Sequence, residues 1–192
     1  MSPTGAAKAA RRDPEGRKRA IVVAACELIA EVGVGRVTHR LVAARAGVPL
    51  GATTYYFRSL DELVEAALRH AAELSEAVLG EWLAAVETAE PAELPAVLAR
   101  LTAEYVRDPE RVTLDTELYV GAAHEERLRP LAREWVDGLV AALTPAAGAP
   151  AARAVAAYLD GVVLHAFILG RHVDVPETHA ALAALLLRRR RD

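Results

Sequence analysis

Residues 38–57, THRLVAARAGVPLGATTYYF, predict two short helices joined by a tight turn. Thr38 is placed to N-cap the first, and Leu41, Val42 and Ala46 give it an apolar stripe. Gly47 supplies the left-handed residue that turns the chain, and Val48 fills the corner beneath it. The second helix, Leu50 to Tyr56, carries Gly51, Thr53, Thr54, Tyr55 and Tyr56 and has little large apolar surface to bury. Such a helix packs poorly and reads well. The pattern is that of a helix-turn-helix whose second helix is expected to enter a DNA major groove.

The flanking sequence fits one more helix on each side. Asp13-Pro14 announces an upstream helix, aspartate as cap and proline at the first helical position. Ile21, Ala24, Ala25, Leu28, Ile29 and Val32 recur along it at helical spacing, Gly33 ends it, and Cys26 on its apolar face is expected to be packed and inert. Downstream, Ser59-Leu60-Asp61-Glu62 is a capping box opening a long helix through Leu63, Ala67, His70, Leu74 and Leu79 to about Val86.

Prolines at 91, 95, 109, 130, 145, 150 and 176 then divide the chain into helical stretches of roughly 92–106, 110–122, 125–143, 151–172 and 177–189. The expected fold is all-α with about nine helices. A three-helix domain is predicted at 13–60 and a larger helical domain at 61–192. Residues 1–12, with Lys8, Arg11 and Arg12, read as a disordered arm. It either enters a minor groove or serves as a solubilising tail. The basic run Arg188 to Arg191 suits the C-terminal end of a helix dipole.

Composition agrees. The chain is 53% hydrophobic but only 5% aromatic, its apolar weight being alanine and leucine, which favours helix. No run of eighteen apolar residues predicts a membrane span, and the polar N-terminus has no signal-peptide core. One cysteine excludes an internal disulfide, and the cytoplasm is the expected compartment. Residues 1–70 hold 11 Lys and Arg against 7 Asp and Glu, whereas residues 71–192 hold 12 against 19. The first surface can neutralise phosphates; the second opposes them.

The stretch 151–172 is apolar nearly all round. Val155, Leu159, Val162, Val163, Ala166, Phe167 and Gly170 form one stripe, with Leu164 and Ile168 on another side. One face is expected to meet the chain's own core and the other a second subunit, which makes Val155, Leu159, Val162, Val163 and Phe167 the candidate dimer contacts. The alternative is a central core helix.

The upstream helix, the helix-turn-helix and the capped long helix together resemble the TetR family of transcriptional regulators. The matching residues are Ala43, Ala46-Gly47-Val48, Gly51, Tyr56-Phe57, Ser59 and Glu62-Leu63, spread over about residues 14–65. The resemblance implies a repressor that binds a palindromic operator as a homodimer and is released by a small-molecule effector held in the larger domain. It places Thr38 near phosphate and Arg40 where an arginine reaches guanine. Leu50, Gly51, Ala52 and Thr53 fall along the edge facing bases, and Tyr55 and Tyr56 on the DNA backbone. Pro49, Thr54 and Leu60 depart from the usual serine, tyrosine and lysine. Arg58 or the arm could replace the missing lysine's phosphate contact, and Arg45 and Arg58 each read either as a phosphate ligand or as a solvated charge.

No P-loop, GxGxxG, GxSxG, HExxH or paired CxxC is present. Neither cofactor nor metal is expected, nor an enzyme. The alternative class is a small helical ligand carrier or enzyme with an incidental helix-turn-helix. His124-Glu125-Glu126 reads as a helix start. His165, within an apolar helix, is either a buried histidine satisfied by one hydrogen bond or a polar anchor in a pocket. Trp82, Tyr105, Tyr119, Trp135 and His165 are the candidate pocket residues, with Tyr158 and Phe167 nearby. They are either core or the lining of a cavity for a largely apolar effector, aromatic or not, with one or two polar groups.

Overall fold

Asp13 holds the first helix at its start, where its carboxylate accepts a hydrogen bond from the Gly16 N–H at 2.9 Å and Pro14 needs no acceptor. In the computed structural model, which describes residues 13–186, this helix, α1, runs Pro14–Val32 and buries Ile21, Ala24, Ala25, Cys26, Leu28 and Ile29. Val32 stays 37% exposed. A 3-10 turn, Val34–Arg36, leads to α2, His39–Arg45, and α3, Leu50–Tyr56.

The turn between α2 and α3 is a Schellman motif. Gly47 takes φ +64°, its N–H donates to Ala44 O at 3.3 Å, and the Val48 N–H donates to Ala43 O at 3.0 Å. The packed face of α2 differs from the expected stripe. Val42 and Ala43 are buried, while Leu41 is 45% exposed. Leu41 lies about 100° round the helix from Val42, on the side away from Ala46.

The capping box forms with a shift of one residue. Ser59 Oγ accepts from the Glu62 N–H at 3.1 Å, but the Glu62 carboxylate accepts from the Arg58 N–H at 2.7 Å. It opens α4, Leu60–Thr88. The first three turns of α4 bury Leu63, Ala67, Leu68 and Ala71, and the chain divides into two units after Ala71 rather than at residue 60.

The second unit continues along α4 and adds α5, Leu94–Tyr105; α6, Pro109–His124; a 3-10 turn, Glu126–Leu128; α7, Arg129–Ala147; α8, Ala149–Leu169; and α9, Val175–Leu186. These make nine α-helices and no strand among the described residues. α7 packs along α8, and α9 packs on α5 and α8. Their shared core contains Trp82, Val86, Leu98, Leu139, Leu143, Val155, Leu159 and Leu182, each contributing about 1.5–3 kcal/mol by burial. Pro145 does not end α7, which runs on to Gly148. So close to the C-terminus the ring costs one carbonyl its donor, and the helix absorbs the loss.

One expectation about α8 changes. This helix is long and apolar enough to pass as a membrane span, with a mean hydropathy of 1.5 over its best stretch. Its Ala152, Val155, Ala156 and Leu159 are nevertheless packed in the core of the second unit. For the same reason Val155 and Leu159, at 0% and 3% exposure, face inward and are not available to a second subunit. The arm at 1–12 and the run Arg188 to Arg191 lie outside the described residues.

Candidate functional site

α3 is held as a small platform with one face open. Leu50 is 46% and Tyr55 80% exposed, Gly51 and Thr54 are exposed, and Ala52 and Tyr56 are half-buried. The Tyr55 and Tyr56 rings meet edge to face at 5.1 Å, which stiffens that end. Thr53 does not join this face. It is fully buried, and its hydroxyl donates to Leu50 O at 2.8 Å, so the predicted base contact is lost to packing.

Around the platform, Thr38 is the N-cap of α2, its Oγ1 accepting from the Leu41 N–H at 3.2 Å. Arg40 is exposed and makes no ion pair with another described residue. Arg45 is engaged in the fold. Its two terminal nitrogens lie 2.8 and 2.6 Å from the two Glu31 carboxylate oxygens, and one lies 3.3 Å from Glu27. Hydrogen bonding to Arg45 holds the Glu31 carboxyl below its usual range. This fork ties α2 to α1, a structural role in place of the phosphate contact. Cys26 is packed inside, and burial pushes its thiol up to about 11.

The second unit holds a partly open cavity of about 360 Å³, and all its lining residues lie between Ala72 and Leu164. Trp82, Tyr105 and Trp135 form its aromatic wall: the two indoles meet at 5.1 Å, and Tyr105 lies 6.4 Å from Trp82 and 5.8 Å from Trp135. Tyr119 lines it too. Four of the five predicted pocket residues therefore converge. His165 does not: it is exposed and is not part of this cavity's lining, being neither the buried histidine nor the anchor of this pocket that the sequence suggested. It lies about 140° round α8 from Asp160, and it is Asp160 that lines the cavity. Val163, expected at a dimer contact, is also cavity wall.

The carboxylates are what sequence reasoning missed. Asp115 on α6 accepts from the Tyr105 hydroxyl and, at 3.2 Å, from Ser75 Oγ on α4. Burial raises its carboxyl above the ordinary aspartate range although those two hydrogen bonds oppose the shift. Burial also raises Asp160, and raises Tyr119 with help from the charges of Asp160 and Asp115. Asp160 was visible as an isolated acid in the apolar run VAAYLDGVV. Asp115 gave no comparable signal, because polar residues surround it in sequence.

Comparison with known proteins settles the family. Residues 21–67 match the model for bacterial regulatory proteins of the tetR family, and residues 89–188 match the tetracyclin repressor-like C-terminal domain. The chain belongs to the TetR family of transcriptional regulators. Among solved TetR-like structures, the multidrug binding protein EbrR in complex with ethidium is 38% identical, with 91% of this chain and 99% of that one covered and a TM-score of 0.75. EbrR has also been solved with proflavin. A TetR-family member from Streptomyces coelicolor is 37% identical over 88% of this chain and 98% of its own, with a TM-score of 0.75. The HTH-type transcriptional regulator BetI of Escherichia coli is 28% identical over 173 residues, covering 85% of this chain and 89% of the relative. Most of the cavity lining, from Tyr105 to Leu164, lies within the C-terminal match, Trp82 and the rest of the α4 wall lie outside both matches, and the α2–α3 platform lies within the N-terminal one.

Proposed function

We propose that the protein is a homodimeric repressor that grips a palindromic operator and releases it when a small, largely apolar aromatic molecule fills the cavity. The observation that carries this reading is the open face of α3. Leu50, Gly51 and Tyr55 are solvent-exposed on a helix otherwise fastened by Thr53, Phe57 and the Gly47 turn. A Cβ at Gly51 would meet nothing within 4 Å, so the fold does not require glycine there. The bare backbone suits close approach to DNA. Arg40 and Ala52 stand beside it as base contacts, and Thr38, Tyr55 and Tyr56 as backbone contacts. The positive balance of residues 1–70 favours the same surface.

Two copies are brought together in this reading by the C-terminal end of α8. Phe167, Ile168 and Leu169 are 38%, 66% and 57% exposed there, Val162 is half-buried, and Val175 at the start of α9 is 38% exposed. Water-facing apolar surface of this extent favours a like surface on a second copy. The ethidium and proflavin complexes of EbrR support an aromatic effector. α4 belongs to both units of the chain, so an effector that prefers one tilt of α4 changes the spacing of the two reading helices. The regulator works in the cytoplasm, where its operator is.

A fluorescence anisotropy titration of the full chain on its own upstream DNA and on random duplex tests the reading. The specific site is expected to bind at least about a thousandfold tighter, with steep salt dependence. Equal affinity for both duplexes, without salt dependence, rejects it.

A further inference from the structure

We infer that the effector is an aromatic cation whose charge is taken by Asp160. This rests on the cavity being the effector site and names the class of molecule it takes.

Three observations carry the charge assignment. The lining includes four carboxyl groups, Glu76, Asp115, Glu134 and Asp160, and no lysine, arginine or histidine. An anion would find no cationic partner there, whereas a cation would find acids able to pair with it. The same lining offers the faces of Trp82, Trp135 and Tyr105, and an aromatic face attracts a cation. The two inner acids differ in what holds them. Asp115 already accepts from Tyr105 and Ser75 through its two oxygens. Asp160 has no hydrogen-bond donor and no cationic partner among the described residues, and it sits on the core helix α8 with its carboxyl half-buried.

The surroundings set the sign of the pH effect. Tyr105 on α5, Asp115 and Tyr119 on α6, Glu76 on α4 and Glu134 on α7 line the cavity with Asp160, and no titratable group of α9 joins them. Arg111, the cation whose charge reaches Asp115, is paired with Asp108 at 3.4 Å. Burial disfavours the Asp160 carboxylate, so the empty cavity keeps the proton to a higher pH than an exposed aspartate does. A cation restores the carboxylate by neutralising it: one positive charge enters, one proton leaves, and the cavity's net charge is unchanged. Binding therefore strengthens as the pH rises and levels off once Asp160 is ionised in the empty protein, with a limiting slope of about tenfold per pH unit below that point.

The test uses a matched pair of probes, N-methylacridinium and its uncharged isostere 9-methylanthracene, titrated into the full-length protein. Quenching of tryptophan fluorescence reports occupancy directly, because the chain's two tryptophans are Trp82 and Trp135. N-methylacridinium carries a permanent charge, so any pH dependence belongs to the protein. It is expected to bind at least about tenfold tighter than the neutral probe and to weaken from about pH 8 to about pH 5. Asp160→Asn should lower its affinity roughly 10- to 100-fold and flatten the pH profile, while leaving 9-methylanthracene unchanged. Asp160→Glu should restore most of the binding, and thermal melts of both variants verify that they fold. Equal affinity for the two probes, or an Asp160→Asn variant that binds the cation as before, overturns the inference and leaves the aromatic cavity standing. Failure of both probes to bind at any pH rejects the aromatic effector site itself.

Discussion

Tyr105 on α5 donates its hydroxyl hydrogen to the Asp115 carboxylate on α6, and Ser75 on α4 donates to the other oxygen of the same group. One carboxylate thus ties three helices at the cavity wall. Burial and the neighbouring Asp115 charge hold the Tyr105 phenol above its ordinary range, so it remains a donor throughout the physiological pH range. Removing it leaves a buried acceptor half-satisfied. Tyr105→Phe is expected to lower stability by roughly 1–3 kcal/mol in urea unfolding of the full chain. An unchanged midpoint would show that water replaces the phenol without cost.

Asp160 makes the opposite kind of contribution. Burial raises its folded pKa above the unfolded value, so the folded chain holds this proton more tightly than the unfolded chain. Its stabilising effect is complete below the unfolded pKa, about 3.9, and is lost as the pH rises through the folded value. Asp160→Asn removes that loss. Its melting temperature relative to the parent should climb between about pH 4.5 and about pH 8; a relative decline over that range contradicts the direction of the shift.

At the DNA end, Arg40 is exposed and unpaired among the described residues, which leaves its guanidinium available for a bidentate contact with guanine. Arg40→Ala is expected to cost about 1–3 kcal/mol on the operator and to relax base preference at one position per half-site. Tyr56→Phe should weaken specific and random duplex alike. Equal losses on both duplexes for Arg40→Ala would demote it to a backbone contact.

Gly51 separates folding from reading. A methyl group there meets no neighbouring atom within 4 Å, and alanine suits a helix better than glycine by about 1 kcal/mol. Gly51→Ala should therefore melt no lower than the parent, and slightly higher, while binding the operator more weakly because the methyl stands between backbone and base edges. A variant with undiminished operator affinity would remove Gly51 from the reading face.

The two sides of α8 should respond differently to the same charge. Ile168 is 66% exposed and Val155 fully buried. Ile168→Arg is expected to give a folded, helical monomer that no longer grips a palindromic site, as read by sedimentation and circular dichroism. Val155→Arg should lose the fold, because an unpaired charge in that core costs several kcal/mol. A dimer that persists in Ile168→Arg places the interface elsewhere.

What the sequence determined on its own is what local chemistry decides. Asp13-Pro14, Thr38, Gly47 and Ser59 through Glu62 act within a few residues of themselves, so the helix starts and the turn of the reading head were legible before any packing was known. The 3.6-residue period likewise exposed the core face of α1. Tertiary structure decided which face of a short or uniformly apolar helix turns inward. Over the seven residues of α2 and of α3 a period is barely sampled, so Leu41 was placed inside and Thr53 outside, and the structure reverses both. Along α8 almost every position is apolar, and the alternation that would orient it is missing. Only its contacts with α6, α7 and α9 turn Val155 and Leu159 into the core, Asp160 toward the cavity and His165 to solvent. Asp115 meets Ser75 and Tyr105 across 40 and 10 residues of chain, a separation at which no local pattern carries information. The cavity's aromatic wall was anticipated from residue type; its charge was set by which acids the fold brought together.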